Sequence, residues 1–168
     1  MTDQSRSLRH RYRVDPRRAD AADALGSPVL LRMRALWDDL REGSALPRRS
    51  RFDPLLVPAD LLPHILLVDV SLDRPPRFRW RLVGTHTTGS VGRDATGAWF
   101  DELYPDDYRS DIERPYRRIL ASRAPVRWSG DVAYLERDWL TYEVIGMPMS
   151  EDGERIDIIL LGAHYRSP

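Results

Sequence analysis

The sequence predicts an α+β fold, with a five-stranded antiparallel sheet, helices on one face of the sheet and a flanking helix at the N-terminal side. Segments with the two-residue alternation of β-strands occur as a group of two and a group of three. A block with helical periodicity separates the two groups. Strands joined by short turns favour antiparallel pairing, and a separate helical block is typical of α+β domains.

The first 26 residues carry six arginines and few large apolar side chains. Such a segment buries too little apolar surface to offset the entropy lost on ordering, so we expect a disordered or loosely docked arm. A single domain is predicted at residues 27–168. The alternative for the arm is contact with nucleic acid or an acidic partner. Because the 26 acidic and 26 basic residues balance, we do not expect nucleic acid as a partner.

The first helix is predicted to begin at Ser27 and Pro28, because serine caps free amides and proline fits the first helical position. Apolar residues then recur at steps of three and four, and Gly43 provides the stop. The apolar stripe consists of Val29, Met33, Leu36, Trp37 and Leu40. It packs either on its own domain or on a second copy, and we expect this helix to take part in a homodimer.

The first two strands are predicted at Ile65–Val70 and at residues 77–83, as a hairpin around a proline-rich turn. In the second strand, bulky apolar residues alternate with arginine. This pattern predicts an inner face that contains Phe78 and Trp80, and a basic outer face.

Three more strands are predicted in the final third of the chain, at residues 126–135, 139–149 and 155–165. The last of them is apolar on both faces over part of its length, so we expect it at the centre of the sheet. The longest helix is predicted at Asp106–Ser122, where acidic residues at the start and arginines toward the end suit the helix dipole. Pro115 lies inside this range and would kink or restart the helix.

Several motifs in this order resemble the PAS domain, and more narrowly a bacterial family of short stand-alone PAS-like proteins. The most specific pair is FRWRLVGT at residues 78–85 and GRDATG at residues 92–97, because two separated motifs keep their spacing. The other matching stretches are PR at 47–48, DP at 53–54, LLPH at 61–64, DEL at 101–103, MPMS at 147–150 and DG at 152–153. The resemblance implies a sheet that cups a pocket beneath the helices.

Seven side chains in and around the central block are the candidate ligand-binding residues. They are Trp80, His86, Trp99, Phe100, Tyr104, Tyr116 and Trp128. The aromatic residues either line a cavity or form plain core, since each buries a large apolar area. His86 either anchors a ligand or is an ordinary, partly exposed histidine. His64, next to Pro63, is interpreted as a hydrogen-bonded turn residue.

Arginines on the outer sheet face are a second candidate site. Arg79, Arg81 and Arg127 would bind an anion or an acidic partner if they were adjacent there. The alternative is a solvated charged face.

The absence of cysteine excludes disulfides, zinc–thiolate sites and thiol nucleophiles. The sequence also lacks the histidine spacing of common metal sites, the glycine-rich phosphate loop and the nucleophile elbow. We therefore predict no enzyme activity, no catalytic residues and no metal site, and leave the cofactor open. The sequence contains no apolar run that would span a membrane and no signal peptide, so a cytoplasmic protein is expected. Arginine without lysine favours a bacterial source.

The function implied by the resemblance is that of a sensory or regulatory domain. It would bind a small molecule between sheet and helices and signal through the flanking helix or a dimer. The alternative is a ligand-free module for homodimerisation. The expected partners are a second copy of the chain, a small-molecule ligand and a regulatory protein.

Overall fold

The structure is a computed structural model that describes residues 20–21, 25–131 and 140–167. The prediction of a disordered or loosely docked arm falls mostly outside these residues, as does the prediction that the third strand continues from residue 132 to residue 135. The described residues form one antiparallel sheet with helices packed against it, in agreement with the predicted α+β class.

Five strands follow the predicted order along the chain. They are β2 at Ile65–Val70, β3 at Phe78–Val83, β4 at Val126–Asp131, β5 at Thr141–Met149 and β6 at Ile158–Arg166. A short additional strand, β1 at Asp20–Ala21, pairs with β4. The order across the sheet is β1-β4-β5-β6-β2-β3, and every pairing is antiparallel. The prediction that the last strand lies at the centre of the five long strands is confirmed.

Four α-helices accompany the sheet within the described residues. They are α1 at Pro28–Leu40, α2 at Thr85–Val91, α3 at Phe100–Leu103 and α4 at Asp106–Ser122. The bounds of α4 match the prediction, and the helix continues through Pro115 rather than restarting there. α1 begins as predicted, because the Ser27 side chain accepts a hydrogen bond from the Leu30 N–H and Pro28 follows the cap. None of the described helices has the length and apolar character needed to cross a membrane.

α1 and α4 lie on opposite faces of the sheet. Residues paired across antiparallel strands share a face, and neighbours along a strand point to opposite faces. Gly162 of β6 lies beneath Met33 of α1, since a Cβ built on this glycine would be 2.5 Å from Met33 Sδ. Gly146 of β5 lies beneath Ile119 of α4, where a Cβ would be 2.5 Å from Ile119 Cδ1. Gly146 pairs with the residue before Gly162, so the two glycines face opposite sides.

One face of α1 is buried against its own sheet. Leu30, Met33 and Trp37 are almost inaccessible to solvent. The indole N–H of Trp37 also donates a hydrogen bond to the Pro148 carbonyl, with a distance of 2.9 Å. Met33 and Trp37 of the predicted stripe therefore pack within the chain, whereas its other members, Val29, Leu36 and Leu40, are only partly buried.

Both outer edges of the long-strand sheet are covered by other parts of the chain. β1 pairs with β4 at one edge. At the other edge the Gly97 N–H donates to the Trp80 carbonyl at 2.6 Å, and the Trp80 N–H donates to the Ala98 carbonyl at 3.0 Å. Paired residues at an edge are not open to strands of other chains, so these contacts protect part of each edge from edge-to-edge association.

Candidate functional site

An aromatic cluster lies between the sheet and the helices α3 and α4. Its members are Phe78, Trp80, Phe100, Tyr104, Tyr116 and Trp128. The ring centroids of Phe100 lie 4.9 Å from Trp80, 5.1 Å from Tyr116 and 5.5 Å from Tyr104. Tyr116 in turn lies 5.5 Å from Trp128. These spacings fall in the range of favourable tilted and edge-to-face aromatic pairs.

The strand β3 and the helices α3 and α4 supply most of these rings. β3 supplies Phe78 and Trp80 from one face, as its two-residue alternation predicts. α3 supplies Phe100, which is fully buried, and α4 supplies Tyr116 from its inner side. The cluster therefore depends on contacts between segments that are distant in sequence.

Polar atoms are sparse in the aromatic cluster. The Trp80 indole N–H donates a hydrogen bond to the Tyr104 hydroxyl at 3.2 Å. Burial raises the pKa of Tyr116 well above its usual value, so its hydroxyl stays protonated at any physiological pH. Such an environment favours neutral, planar, apolar groups over ions.

Two of the seven predicted site residues lie away from this cluster. Trp99 is the residue before Phe100, yet its ring packs under guanidinium groups, 4.2 Å from Arg77 and 5.2 Å from Arg79. The main chain at Trp99 continues the covering of the β3 edge, which turns its side chain away from Phe100. The second residue, His86, belongs to a separate group of histidines. Phe78 is a cluster member that was not among the seven, although the alternation in β3 had placed it on the inner face.

The histidine cluster consists of His64, His86 and His164. Their ring centroids are separated by 4.2 Å between His64 and His86, 5.5 Å between His64 and His164, and 5.7 Å between His86 and His164. All three rings are only partly buried. The prediction that His64 is a hydrogen-bonded turn residue is confirmed, because it ends a short 3₁₀ helix and its Nδ1 lies 2.9 Å from the Ala163 carbonyl.

Three imidazole rings that lie this close together are a candidate metal-binding site. Among the described residues, no group of three or more His, Asp or Glu side chains has an arrangement that would hold an ion. The engaged nitrogens explain part of this: His86 Nε2 accepts from the Tyr165 N–H at 3.0 Å, and His164 Nδ1 lies 2.7 Å from Ser27 Oγ. These nitrogens are used for internal hydrogen bonds.

The start of α1 is attached to the sheet beside this cluster. The Gly26 N–H donates to Glu143 Oε1 at 2.8 Å, and the same carboxylate accepts from Arg127 at 2.8 Å and Arg166 at 2.9 Å. Burial by itself would raise the pKa of Glu143, but the hydrogen bonds from Arg127 and Gly26 outweigh burial and lower it. Glu143 is therefore ionised at neutral pH and fixes the chain just before α1.

The proposed arginine patch on the outer face is not assembled. Arg79 and Arg81 lie on β3 and both contact Asp69, at 2.8 Å and 3.4 Å. Arg127 lies on β4, which three strands separate from β3, and it pairs with Glu143. The hypothesis of one anion site made by Arg79, Arg81 and Arg127 is wrong, because sheet order keeps them apart.

Comparison with known proteins agrees with this architecture. No curated protein and no solved structure matches the chain significantly. A family model described as PAS domain matches residues 25–163, a span that includes α1, four of the long strands, most of β6 and the whole aromatic cluster, and that ends one residue before His164. The chain therefore belongs to the PAS domain family, whose members are generally sensory, regulatory or interaction modules rather than enzymes.

Proposed function

We propose that this chain is a regulatory module that binds a small, planar, largely apolar molecule among the rings of the aromatic cluster. Binding would change how α1 lies on the opposite face of the sheet. The aromatic lining and the sparse polar atoms favour such a ligand.

The observation that carries this proposal is the close packing on both sides of β5 and β6. Gly146 allows Ile119 and Trp128 to approach one face, and Gly162 allows Met33 and Leu30 to approach the other. At this position the backbone alone separates α4 from α1. Close-packed interiors transmit displacement rather than absorb it, so a ligand that moves α4 or Trp128 would also shift α1.

The proposal is tested on the full chain in two steps. Native mass spectrometry of freshly purified protein should show a bound small molecule that is released on denaturation. Indole is then added as a probe, and the backbone amides are followed by ¹H–¹⁵N NMR. We expect shifts in α3 and α4 and, through the two glycines, in Met33 of α1. The exposed Leu72→Ser variant is a matched control that should respond like the parent chain.

Two results would overturn the proposal. One is protein that carries no small molecule and whose α3 and α4 amides do not respond to indole. The other is a response confined to α3 and α4, since that outcome would remove the coupling to α1.

A second candidate function is a protein-interaction module, including homodimerisation. It is favoured by leucines that remain exposed on the described surface, with Leu55 at 89%, Leu56 at 81% and Leu31 at 51%. Exposed apolar side chains that lie together mark interaction sites. Light scattering after size exclusion should then show a dimer for the parent chain and a monomer for Leu55→Ser/Leu56→Ser. A parent chain that is monomeric at high concentration contradicts homodimerisation.

A further inference from the structure

The histidine cluster brings three parts of the chain together near the end of β6. His64 ends the turn before β2, His86 lies in the first turn of α2, and His164 belongs to β6 itself. Their hydrogen bonds involve three consecutive residues of β6. His64 bonds to the Ala163 carbonyl, the His164 ring bonds to Ser27, and His86 bonds to the Tyr165 N–H. The cluster therefore acts as a clasp at this end of the sheet.

The hydrogen bonds determine whether a particular ring nitrogen of His64 and of His86 carries a proton at neutral pH. His64 Nδ1 faces a carbonyl, so this nitrogen carries a proton and donates. His86 Nε2 faces a main-chain N–H, so this nitrogen must be unprotonated and accept. A doubly protonated His86 has no acceptor to offer. Protonation would therefore break the only hydrogen bond described between the His86 ring and β6.

Two positively charged rings in the cluster would repel each other. The His64 and His86 rings are 4.2 Å apart, and His164 lies within 5.7 Å of both. Arg166 of β6 adds positive charge beside His164.

Acidic side chains offset this repulsion only in part. Glu143 of β5 faces His164, but two arginines, Arg127 and Arg166, already pair with it. Asp60 lies near His64 and pairs with Arg32 of α1. The first turn of α2 brings no acidic residue toward the cluster, and the ring that contacts His86 from β6 is that of Tyr165.

We propose that the histidine cluster is a proton-operated clasp, which holds the start of α2 on the end of β6 at neutral pH and releases it in mild acid. Release matters for the rest of the molecule because α2 leads directly into the segment that covers β3 and places Phe100 in the aromatic cluster. The clasp operates whether or not a ligand binds there.

The direction of the pH dependence follows from linkage. The pKa of His86 is lowered by burial and then by the neighbouring His64 and His164 rings, and the pKa of His164 is lowered by burial, Arg166 and His64. In the released form these pKa values return toward about 6.5. Protons therefore favour release as the pH falls below about 6.5, by up to about tenfold per pH unit for each proton taken up.

The test uses the full chain without added ligand, in buffer containing EDTA so that metal ions do not bind the imidazoles. Hydrogen-exchange protection factors, corrected for the intrinsic pH dependence of exchange, are measured by NMR between pH 7.5 and pH 5. We expect Tyr165 and the α2 amides to lose protection by roughly tenfold or more over this range. The amide of Ile145 in β5 should keep its protection.

Two variants serve as the comparison. His86→Gln places an amide oxygen near the position of Nε2, so it keeps an acceptor that does not titrate. Its α2 amides should lose much less protection between pH 7.5 and pH 5 than those of the parent. His10→Gln changes the remaining histidine of the chain and should behave like the parent.

The proposal is overturned if the parent shows no loss of protection, or if His86→Gln loses it as the parent does. If His86→Gln does not fold, titration of the parent chain tests the proposal. The Tyr165 amide must then titrate with the same midpoint as the His86 ring carbons, and different midpoints reject the clasp. None of these results depends on the aromatic cluster, so failure of the proposed ligand function would be recognised separately.

Discussion

Gly84 lies so close to the carbonyl of Ile65 that a Cβ built on it would be 2.6 Å from that oxygen. The Pro63 carbonyl is closer still. Gly84 follows β3 and is the N-cap of α2, whereas Ile65 is the first residue of β2. This contact therefore sets the distance between the start of α2 and the start of β2. Main-chain atoms cannot rotate away as the end of a side chain can. The geometry at this junction therefore requires glycine.

Gly84→Ala is expected to destabilise the protein by about 1–3 kcal/mol, because the added methyl group has to displace the backbone. Gly89→Ala is the matched control in the same helix. No atom lies within 4 Å of the position of its Cβ, so this change should stabilise by about 0.5–1 kcal/mol through helix propensity. Urea unfolding at pH 7.5 measures both. Equal effects of the two substitutions would contradict the role assigned to Gly84.

Trp37→Ala should remove the main anchor of α1. The indole is almost fully buried and also bonds to the Pro148 carbonyl. We expect a loss of about 3–5 kcal/mol in the free energy of unfolding. Leu31→Ala on the exposed side of the same helix should change it by no more than about 0.5 kcal/mol. If α1 were only loosely attached, Trp37→Ala would cost little more than Leu31→Ala.

Glu143→Gln should lower stability by about 1–3 kcal/mol at pH 7, because Arg127 and the Gly26 N–H lose a charged acceptor. The folded-state pKa of Glu143 lies below its usual value. Its contribution is therefore present above an unfolded-state pKa of about 4.3 and is lost as the pH falls through the lower folded-state pKa.

The check on Glu143 is a comparison of urea unfolding for the parent and Glu143→Gln at several pH values from 7 to 3. The difference in stability should be constant at the upper end and shrink toward pH 3. A difference that stays the same throughout would show that the carboxylate charge plays no part.

The hydrogen bond between Trp80 and Tyr104 is a polar contact within the aromatic cluster. Tyr104→Phe should cost about 0.5–1.5 kcal/mol, since it removes the acceptor of the buried indole N–H. A double-mutant cycle with Trp80→Phe isolates this bond from packing. In the Trp80→Phe background, Tyr104→Phe should cost clearly less. Additive costs would mean that the bond contributes nothing to stability.

Much of the secondary structure could be predicted because its signals are local. Ser27 and Pro28 mark the start of α1, and the bounds of α4 follow from the acidic residues at one end and the apolar periodicity between. The alternation in β3 sorted Phe78 and Trp80 onto the buried face. Each of these features depends on residues within a few positions of one another.

The sorting of the candidate site residues could not be predicted in the same way. Trp99 and Phe100 are neighbours of similar chemistry, but main-chain pairing along the β3 edge directs one outward and the other into the cluster. His64, His86 and His164 come together only because β2 and β6 are adjacent and α2 returns over them. No spacing in the sequence indicates that meeting.

By itself the sequence determined the succession of the five long strands and of the helices, the buried face of β3, and the motifs that resemble a PAS domain. These are properties of short segments, set by side-chain periodicity, capping and turn residues. Only the tertiary structure decided that α1 packs on the face opposite α4, that the outer arginines lie near opposite edges of the sheet, and that three histidines form one cluster. Those outcomes depend on strand order and register, which arise from packing between residues far apart in the chain.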